Sequence, residues 1–307
     1  MISIVIPVRD GGSDLVRCLE AVHSQRIDEE VEIVVVDSGS TDGSPERARR
    51  LGARVFEIPP EDFNHGRTRN LGAELARGET LVFTSQDAYA ADDRWLRSLV
   101  APLQTTSEVA GVYGRHVALD TASPPERYYW EFMYGPEPRI QRVGDPTEVN
   151  FETTHFSNVN SAIPRSLLRT FAFAEDLIMS EDHEWSRRVL LAGYSIVYEP
   201  RAVVLHSHTY SIVGAFRRFF DSGVTAERSF MGDTPEARAV LRRASVRYAR
   251  GEVAWLWRTG RLAWLPYTAA YELAKLAGLQ VGRRHRWFPV SVKRRLSGLP
   301  SFWEKGG

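Results

Sequence analysis

The chain has 307 residues, 43% hydrophobic and 25% charged, and its 39 basic and 39 acidic side chains balance. This is the composition of a folded globular protein, long enough for a substantial core and a second, smaller unit. The one cysteine excludes an intramolecular disulfide, and no apolar run reaches the roughly 18–20 residues that span a bilayer. The N-terminus lacks the basic stretch and cleavage site of a signal peptide, so a reducing cytoplasm is the expected compartment.

Residues 1–110 alternate between strand and helix patterns. Apolar runs predict strands at residues 2–6, 31–36, 55–58 and 80–84. Helical patterns follow the first three strands, and this order predicts an α/β protein with a doubly wound, mostly parallel sheet. Ligands of such sheets bind beyond the carboxyl ends of the strands. Because Asp10, Asp37 and Asp87 each follow a strand, we expect them to converge on one crevice.

The second half of the chain carries a weaker pattern. Residues 111–165 are predicted to be irregular, because prolines and aromatic residues crowd together there. A long Pro-rich loop inside a compact domain is often functional. Residues 195–205 predict another strand, which ends at His206-Ser207-His208, and the chain is predicted to be helical from Ile212 onward.

The charge balance hides an asymmetry between the two ends. Residues 241–307 contain 14 Lys or Arg against three acidic residues, a balance of +11, so residues 1–240 carry −11. This basic helical region is either a solvated face or a peripheral contact with the inner face of a membrane. In the second interpretation Arg side chains lie on one side, opposite Trp255, Trp257, Leu262, Trp264 and Leu265. A nucleic-acid partner is not expected, because no recognised binding signature accompanies the charge.

Two acidic clusters follow apolar runs, Ser85-Gln86-Asp87 and Ser180-Glu181-Asp182. They suggest a division of labour in which one carboxylate holds a metal and another takes a proton. Asp87 is the metal candidate, because a divalent cation that bridges two phosphates needs oxygen ligands. His206 or His208 could add an imidazole, which Mn²⁺ accepts better than Mg²⁺ does.

The segment Asn64–Asn70 contains glycine, is basic, and stands at a predicted helix start. Its backbone N–H groups and guanidinium groups could meet an anionic diphosphate, although an ordinary capped surface helix explains the same pattern. A Rossmann dinucleotide site is a competing interpretation. It needs G-x-G-x-x-G after the first strand, whereas the sequence there reads Pro7-Val8-Arg9-Asp10-Gly11-Gly12.

Together the motifs resemble the family-two inverting glycosyltransferases with the GT-A fold. The resemblance covers roughly residues 1–225 and rests on Ile4–Pro7, Val35–Gly43, Gly66–Asn70, Gln86–Ala88 and Ser180–Asp182. A narrower resemblance to the rhamnosyltransferase branch rests on Phe63–Gly66, Ser85–Ala88 and Leu205–Ser211.

The resemblance implies a GT-A domain over residues 1–225, with a nucleotide-binding part at about 1–110 and an acceptor part at about 111–225. A basic, Trp-rich helical extension follows at 226–307. The implied activity is hexosyl transfer with inversion in cell-surface polysaccharide assembly. The favoured donor is dTDP-L-rhamnose, and the acceptor is a saccharide or a polyprenyl-linked saccharide. Two alternatives stay open: a UDP-hexose or UDP-N-acetylhexosamine donor, and a catalytically idle sugar-nucleotide-binding protein. A sugar nucleotidyltransferase would need a Gly-rich, Lys/Arg-bearing signature after the first strand, which the chain lacks.

The resemblance also implies roles for individual residues. Asp182 matches the catalytic base, with Glu181 beside it. The metal, Mg²⁺ or Mn²⁺, would bind Asp87 with His206 or His208, although Ser85 replaces the first Asp of the family's Asp-x-Asp motif. The implied donor contacts are Pro7, Val8, Arg9, Asp10, Asp37, Ser38, Ser40, Gly66, Arg69, Asn70, Gln86 and Asp87. The implied acceptor contacts are Trp130, Tyr134, Asn158 and Asn160.

Overall fold

A computed structural model describes residues 1–231 and 234–304. Residues 232–233 and 305–307 of the predicted C-terminal extension lie outside the described residues. The strands are β1 (Ile2–Val8), β2 (Val31–Asp37), β3 (Arg54–Glu57), β4 (Thr80–Thr84), β5 (Tyr89–Ala90), β6 (Val109–Val117), β7 (Arg139–Gln141), β8 (Asn160–Pro164) and β9 (Ser195–Leu205). The helices are α1 (Gly12–His23), α2 (Ser44–Arg50), α3 (His65–Leu75), α4 (Trp95–Val100), α5 (Pro124–Met133), α6 (Arg165–Thr170), α7 (Glu181–Leu191), α8 (Ile212–Ser229), α9 (Pro235–Arg258), α10 (Leu265–Gly282) and α11 (Val290–Leu296).

The described strands form one mixed sheet in the order β3-β2-β1-β4-β8-β6-β9-β5, and β7 also pairs with β9. The predicted parallel sheet is confirmed for β1 to β4, which all run in one direction. Beyond β4 the pattern changes, because β8 runs antiparallel to both β4 and β6. The carboxyl ends of β1, β2 and β4 therefore share one edge, as expected.

The core lies on both faces of the sheet. In β1, Ile4 and Ile6 point to the layer that holds Leu15 of α1, whereas Val5 points to the opposite layer. Because both faces of the inner strands are covered, their sequences read as continuous apolar runs. The same burial places Cys18 in the core as a free thiol.

The prediction that residues 111–165 are irregular is wrong. β6 extends to Val117, β8 occupies residues 160–164, and α5 lies between them. Pro124 and Pro125 begin α5 instead of breaking it, since proline fits the first turn of a helix, where a missing N–H leaves no hydrogen bond unmade. Tyr128, Tyr129, Trp130 and Phe132 belong to α5, and the last three pack against the core layer that holds Val5.

The C-terminal helix α10 packs closely on α8. A Cβ atom added to Gly278 of α10 would lie 2.3 Å from the carbonyl oxygen of Phe216 in α8, and one on Gly282 would lie 2.0 Å from that of Phe220. Only glycine permits this approach of two helices.

The domain boundary predicted at residue 225 falls inside α8. None of the described helices combines the length and the hydropathy needed to cross a membrane.

A buried lysine joins α10 to α5 and α9. Lys275 is 8% exposed, and its ammonium group lies about 5 Å from the ring centres of Tyr129, Phe219 and Tyr248. The ion pair with Glu272, at 2.9 Å, balances its charge. On α9, Trp255 donates to Glu131 at 2.7 Å. These contacts fix α5 from its outer side.

Candidate active site

Three loops at the carboxyl ends of β1, β2 and β4 form one wall of a crevice. Gln86 joins two of them, because its amide accepts from Arg9 N (2.9 Å) and donates to Arg9 O (3.1 Å). Asp10 joins the third: its N–H donates to Ser40 Oγ (2.7 Å), and its carboxylate accepts from Thr41 N (2.8 Å). Arg9 and Asp10 are exposed, whereas Pro7, Gln86 and Asp87 are half-buried. These five predicted donor residues lie together at the open edge.

Other predicted donor residues are buried inside this wall. Asp37 is 1% exposed, and its carboxylate accepts hydrogen bonds from Gly39 N, Ser40 N and Ser40 Oγ. Ser38 is buried and donates to Val8 O, and the Val8 side chain belongs to the core. Asp37, Ser38 and Val8 thus lie inside the wall, and their direct contact with a ligand stays a prediction. These residues shape the turn that presents Asp10 and Ser40.

The start of α3, predicted to meet a diphosphate, is bonded to its own cap and to the loop before α7, so the diphosphate contact stays a prediction. The Asn64 side chain caps the helix and accepts from Gly66 N and Arg67 N, so those N–H groups are already satisfied. Gly66 packs against the loop before α7, where an added Cβ would lie 2.1 Å from Ala174 O. Asn70 is engaged with the same loop through Phe173 and Glu175.

Arg69 has a different partner from the one expected. Its guanidinium lies 2.8 Å from Glu181 in an ion pair whose side chains are 7% and 6% exposed. Asn158, predicted to contact an acceptor, is 1% exposed and donates to the same Glu181 oxygen at 3.3 Å. Both residues thus position the acidic pair at the start of α7, and their predicted ligand contacts stay predictions.

Glu181 and Asp182 occupy the first turn of α7, as predicted, but carry different charges. Burial opposes ionisation of Glu181, yet the Arg69 guanidinium prevails and holds the pKa of Glu181 below its usual range. Burial, and then the negative charge of Glu181, raise the pKa of Asp182 to about 7. Asp182 is half-buried and accepts from Asn158 N (3.2 Å) and His183 N (2.9 Å). A carboxyl group with this pKa suits proton transfer near neutral pH.

The second acidic site gathers Asp87 with two histidines, which we call the Asp–His cluster. The antiparallel pairing of β5 with β9 puts Tyr89 opposite Leu205, and this register brings Asp87 to the end of β9. Its carboxylate lies 3.7 Å from His206 Nε2 and 3.5 Å from His208 Nδ1. One ligand atom from each residue falls within 4.8 Å of the others.

The chemistry of the cluster fits a divalent cation. Burial is the main cause that lowers the pKa of His206, to about 4, and it also lowers the pKa of His208. Both imidazoles are therefore neutral and keep a lone pair for a metal. Neither ring nitrogen of His206 has a hydrogen-bond partner among the described residues. A buried, neutral imidazole that faces a carboxylate without a hydrogen bond to it is free to coordinate a metal ion.

An aromatic wall stands beside the Asp–His cluster. Trp130 is half-buried, stacks on His116 with ring centres 5.0 Å apart, and donates to Glu126, which also accepts from His208 N. Trp130 is thus the predicted acceptor residue that reaches the crevice. The other two lie deeper: Tyr134 is 2% exposed, and Asn160 is fully buried and bonded to Trp95 and Ala202. Their acceptor contacts stay predictions.

Sequence reasoning missed Arg218, on the first half of α8. It is exposed and donates to Met179 Sδ at 2.6 Å, two residues before Glu181. No carboxylate oxygen of the described residues lies within 4.0 Å of its guanidinium nitrogens. Its positive charge also contributes to lowering the pKa values of His206 and His208, after burial. Arg218 is thus a cation without an ion-pair partner among the described residues, and it contacts the loop before Glu181 and acts on the histidines of the Asp–His cluster. The sequence offered no signal that separates it from its neighbour Arg217.

The mixed sheet, the acidic pair on α7 and the Asp–His cluster at strand ends define a glycosyltransferase of the GT-A fold. A family model described as "Glycosyl transferase family 2" matches residues 3–171. The chain therefore belongs to glycosyltransferase family 2.

Relatives and solved structures agree with this assignment. The O-antigen chain rhamnosyltransferase RfbN of Salmonella typhimurium is 30% identical over 98% of this chain and 96% of its own length. The O-antigen chain rhamnosyltransferase WbaN of Salmonella anatum is 29% identical over 98% and 95%. Among solved structures, the mannosyltransferase PcManGT of Pyrobaculum calidifontis, in complex with GDP-Man and Mn²⁺, aligns with a TM-score of 0.58 at 19% identity, covering 94% of this chain and 87% of its own. The resemblance to rhamnosyltransferases and the GT-A fold are thereby confirmed.

Proposed function

We propose that this enzyme transfers L-rhamnose from dTDP-L-rhamnose, with inversion, to a saccharide or polyprenyl-linked saccharide acceptor during cell-surface polysaccharide assembly. The two Salmonella relatives, whose names specify O-antigen chain rhamnosyl transfer, align along almost the whole chain and support this choice of sugar. The observation that carries the reaction type is Asp182, a half-buried carboxyl group whose pKa is raised to about 7 beside an ion-paired Glu181. We place the enzyme on the cytoplasmic side of the membrane.

Inversion requires a single in-line displacement at the anomeric carbon. The acceptor hydroxyl attacks the face opposite the diphosphate, the new C–O bond forms, and the bond to the diphosphate oxygen breaks with its electron pair. Asp182 accepts the hydroxyl proton, which requires a separation of roughly 2.6–3.2 Å between the two oxygens. Asn158 N and His183 N hold the Asp182 carboxylate in place for this step.

The leaving diphosphate carries negative charge that the site must offset. Asp87, His206 and His208 would hold a Mg²⁺ or Mn²⁺ ion, which when bound neutralises part of that charge. Arg218, which lacks a carboxylate partner among the described residues, supplies a second positive charge near the two acidic sites. Exposed Arg9 and Asp10 at the edge of β1 are suited to contact the nucleoside, and Trp130 to stack on a sugar ring.

A donor screen tests the proposal most directly. Calorimetry with dTDP-L-rhamnose, a UDP-hexose and UDP-N-acetylhexosamine, each with and without Mn²⁺, should give the tightest binding for dTDP-L-rhamnose with Mn²⁺. Tighter binding of a UDP-sugar would refute the rhamnose assignment and favour that alternative donor.

Donor hydrolysis separates an enzyme from an idle binding protein. The wild-type protein should release dTDP from the bound donor slowly, and the Asp182→Asn variant should bind the donor equally but release far less. Binding without any release, in both proteins, would favour the idle binding protein. NMR of the anomeric proton in a transfer product should show the configuration opposite to that of the donor, and a retained configuration would refute the inverting mechanism.

A further inference from the structure

The outer face of α10 is apolar along its length. The inner face packs on α8 through Gly278 and Gly282. The opposite face carries exposed small and apolar residues, Leu265, Ala269, Leu273, Leu276 and Ala277, and exposed Leu262 lies in the short turn just before the helix. We call these six residues the α10 stripe. Leu273 and Leu276 are 65% and 54% exposed. An exposed leucine row of this kind, on a helix that already buries its other face, indicates a surface with an apolar partner.

Exposed tryptophans precede and follow the stripe in the sequence. Trp257, in the last turn of α9, is 71% exposed, and Trp287, beyond the end of α10, is 78% exposed. Trp255, which the sequence analysis grouped with Trp257, is instead 7% exposed and bonded to Glu131. Indole rings favour the boundary between lipid headgroups and acyl chains, because one edge is apolar and the other donates a hydrogen bond.

The charges around the stripe are segregated by sign. Residues 241–290 contain ten Lys or Arg and only two acidic residues. Both acidic residues turn inward: Glu252 is 4% exposed, and Glu272 is bonded to Lys275 and Tyr248. Lys275 is the buried base, whereas arginines such as Arg258, Arg284 and Arg286 are exposed. The outward-facing charge is therefore all positive.

We propose that the α10 stripe, with its flanking tryptophans and arginines, docks on the surface of an anionic lipid bilayer. The apolar row would enter the headgroup boundary along the helix axis, while the guanidinium groups pair with anionic headgroups. A second copy of the chain is a poorer occupant, because a twofold contact would set the same arginines against each other. The docking stands on this surface alone and does not depend on which sugar the enzyme transfers.

This surface lies close to the reaction centre. α8, on which α10 packs, begins four residues after His208 and carries Arg218. Packed helix axes lie about 8–10 Å apart, so one layer of helix separates the stripe from the elements that line the site. A lipid-linked acceptor could keep its chain in the bilayer while its sugar reaches the crevice.

Vesicle flotation with the full-length protein tests the docking. The wild-type protein should float with vesicles of phosphatidylglycerol and phosphatidylethanolamine and stay behind with pure phosphatidylcholine vesicles. Leu273→Gln/Leu276→Gln should lower the partition coefficient at least about tenfold, because two exposed leucines no longer leave water. Arg284→Gln/Arg286→Gln should lower it about twenty-five-fold, since each charge contributes roughly a fivefold factor near an anionic surface.

The matched control is Ile140→Gln, on strand β7, because Ile140 is 66% exposed but lies on a different element. It should float like the wild type. Thermal unfolding and donor hydrolysis without vesicles verify that each variant is folded, and they keep a failure of docking distinct from a failure of the enzymatic proposal. A wild-type protein that never floats, or leucine variants that float normally, would overturn the docking. The docking would also be overturned if light scattering showed that the wild type is a dimer and the leucine variants are monomers. A second copy of the chain would then be the partner of the stripe.

Discussion

The acidic pair on α7 and the Asp–His cluster are built from the same kinds of side chain, but they control charge in opposite ways. In the pair, the buried guanidinium of Arg69 keeps Glu181 ionised. The negative charge of Glu181 then adds to burial in raising the pKa of Asp182. In the cluster, burial keeps His206 neutral although Asp87 lies 3.7 Å away. One site is therefore prepared to accept a proton, and the other keeps its lone pairs for a metal.

Removing the base should have the largest effect. Asp182→Asn keeps the shape of the side chain but cannot take a proton from the acceptor, so we expect turnover to fall by about 10³-fold or more. Donor affinity, measured by calorimetry, should change less than about threefold, since Asp182 acts on the acceptor. Turnover within tenfold of the wild type would show that another group is the base.

Removing Asp87 from the Asp–His cluster should have the second-largest effect on activity. Asp87→Ala removes the carboxylate between two neutral imidazoles, and we expect a loss of about a hundredfold in kcat/KM. Electron paramagnetic resonance of Mn²⁺ should also show weaker binding in the presence of donor. The control is Asp93→Ala, because Asp93 forms an exposed ion pair with Arg26 away from the cluster. Unchanged Mn²⁺ binding in the Asp87 variant would contradict the assignment.

The buried ion pair should matter for folding as well as for charge. Arg69→Gln leaves Glu181 buried without its cation, and we expect the free energy of unfolding to fall by about 3 kcal/mol in urea titrations. Arg67→Gln is a matched control on the same helix, because Arg67 and Glu175 are about half-exposed and such pairs contribute at most about 1 kcal/mol. The double variant Arg69→Gln/Glu181→Gln should recover part of the loss. Equal effects at positions 67 and 69 would argue against this account.

Removing the positive charge of Arg218 should have a smaller effect, on the affinity for the nucleotide. Arg218→Gln should weaken binding of dTDP about tenfold, because a charge-assisted contact with the diphosphate is lost. Arg217→Gln, its neighbour on α8, should change the affinity less than about twofold. Calorimetry compares the two variants, and equal losses would mean that Arg218 acts only through the overall charge of the helix.

The pH profile should give the smallest and most specific shift. Since Asp182 must be ionised to act as a base and its pKa is raised to about 7, kcat/KM should rise with pH and level off above about 7. Glu181→Gln removes the negative charge that helps to raise this pKa, so the midpoint should move to lower pH. A midpoint that stays in place or rises would show that Glu181 does not control Asp182.

The sequence predicted the parts of the candidate site that depend on the position of a residue along its own strand. Strand-end positions were enough to bring Asp87, His206 and His208 together, because strand β9 delivers its last residues to a sheet edge. The roles of Arg69 and Asn158 could not be predicted in this way. Arg69 meets a carboxylate 112 residues away, and only the packing of α3 against α7 decides that it faces Glu181. The prolines at the start of α5 misled the prediction, since the same residues open helices and fill loops.

The buried Lys275 has a consequence for how such enzymes can be recombined. It ties α10 to α5, and α5 carries Trp130, the aromatic residue proposed to receive the sugar. The surface proposed to meet the bilayer and the wall proposed to meet the acceptor thus belong to two helices, α10 and α5, that Lys275 holds together. A chimera that replaces the C-terminal helices alone would also move that wall, so the choice of membrane surface and the choice of acceptor would be inherited together.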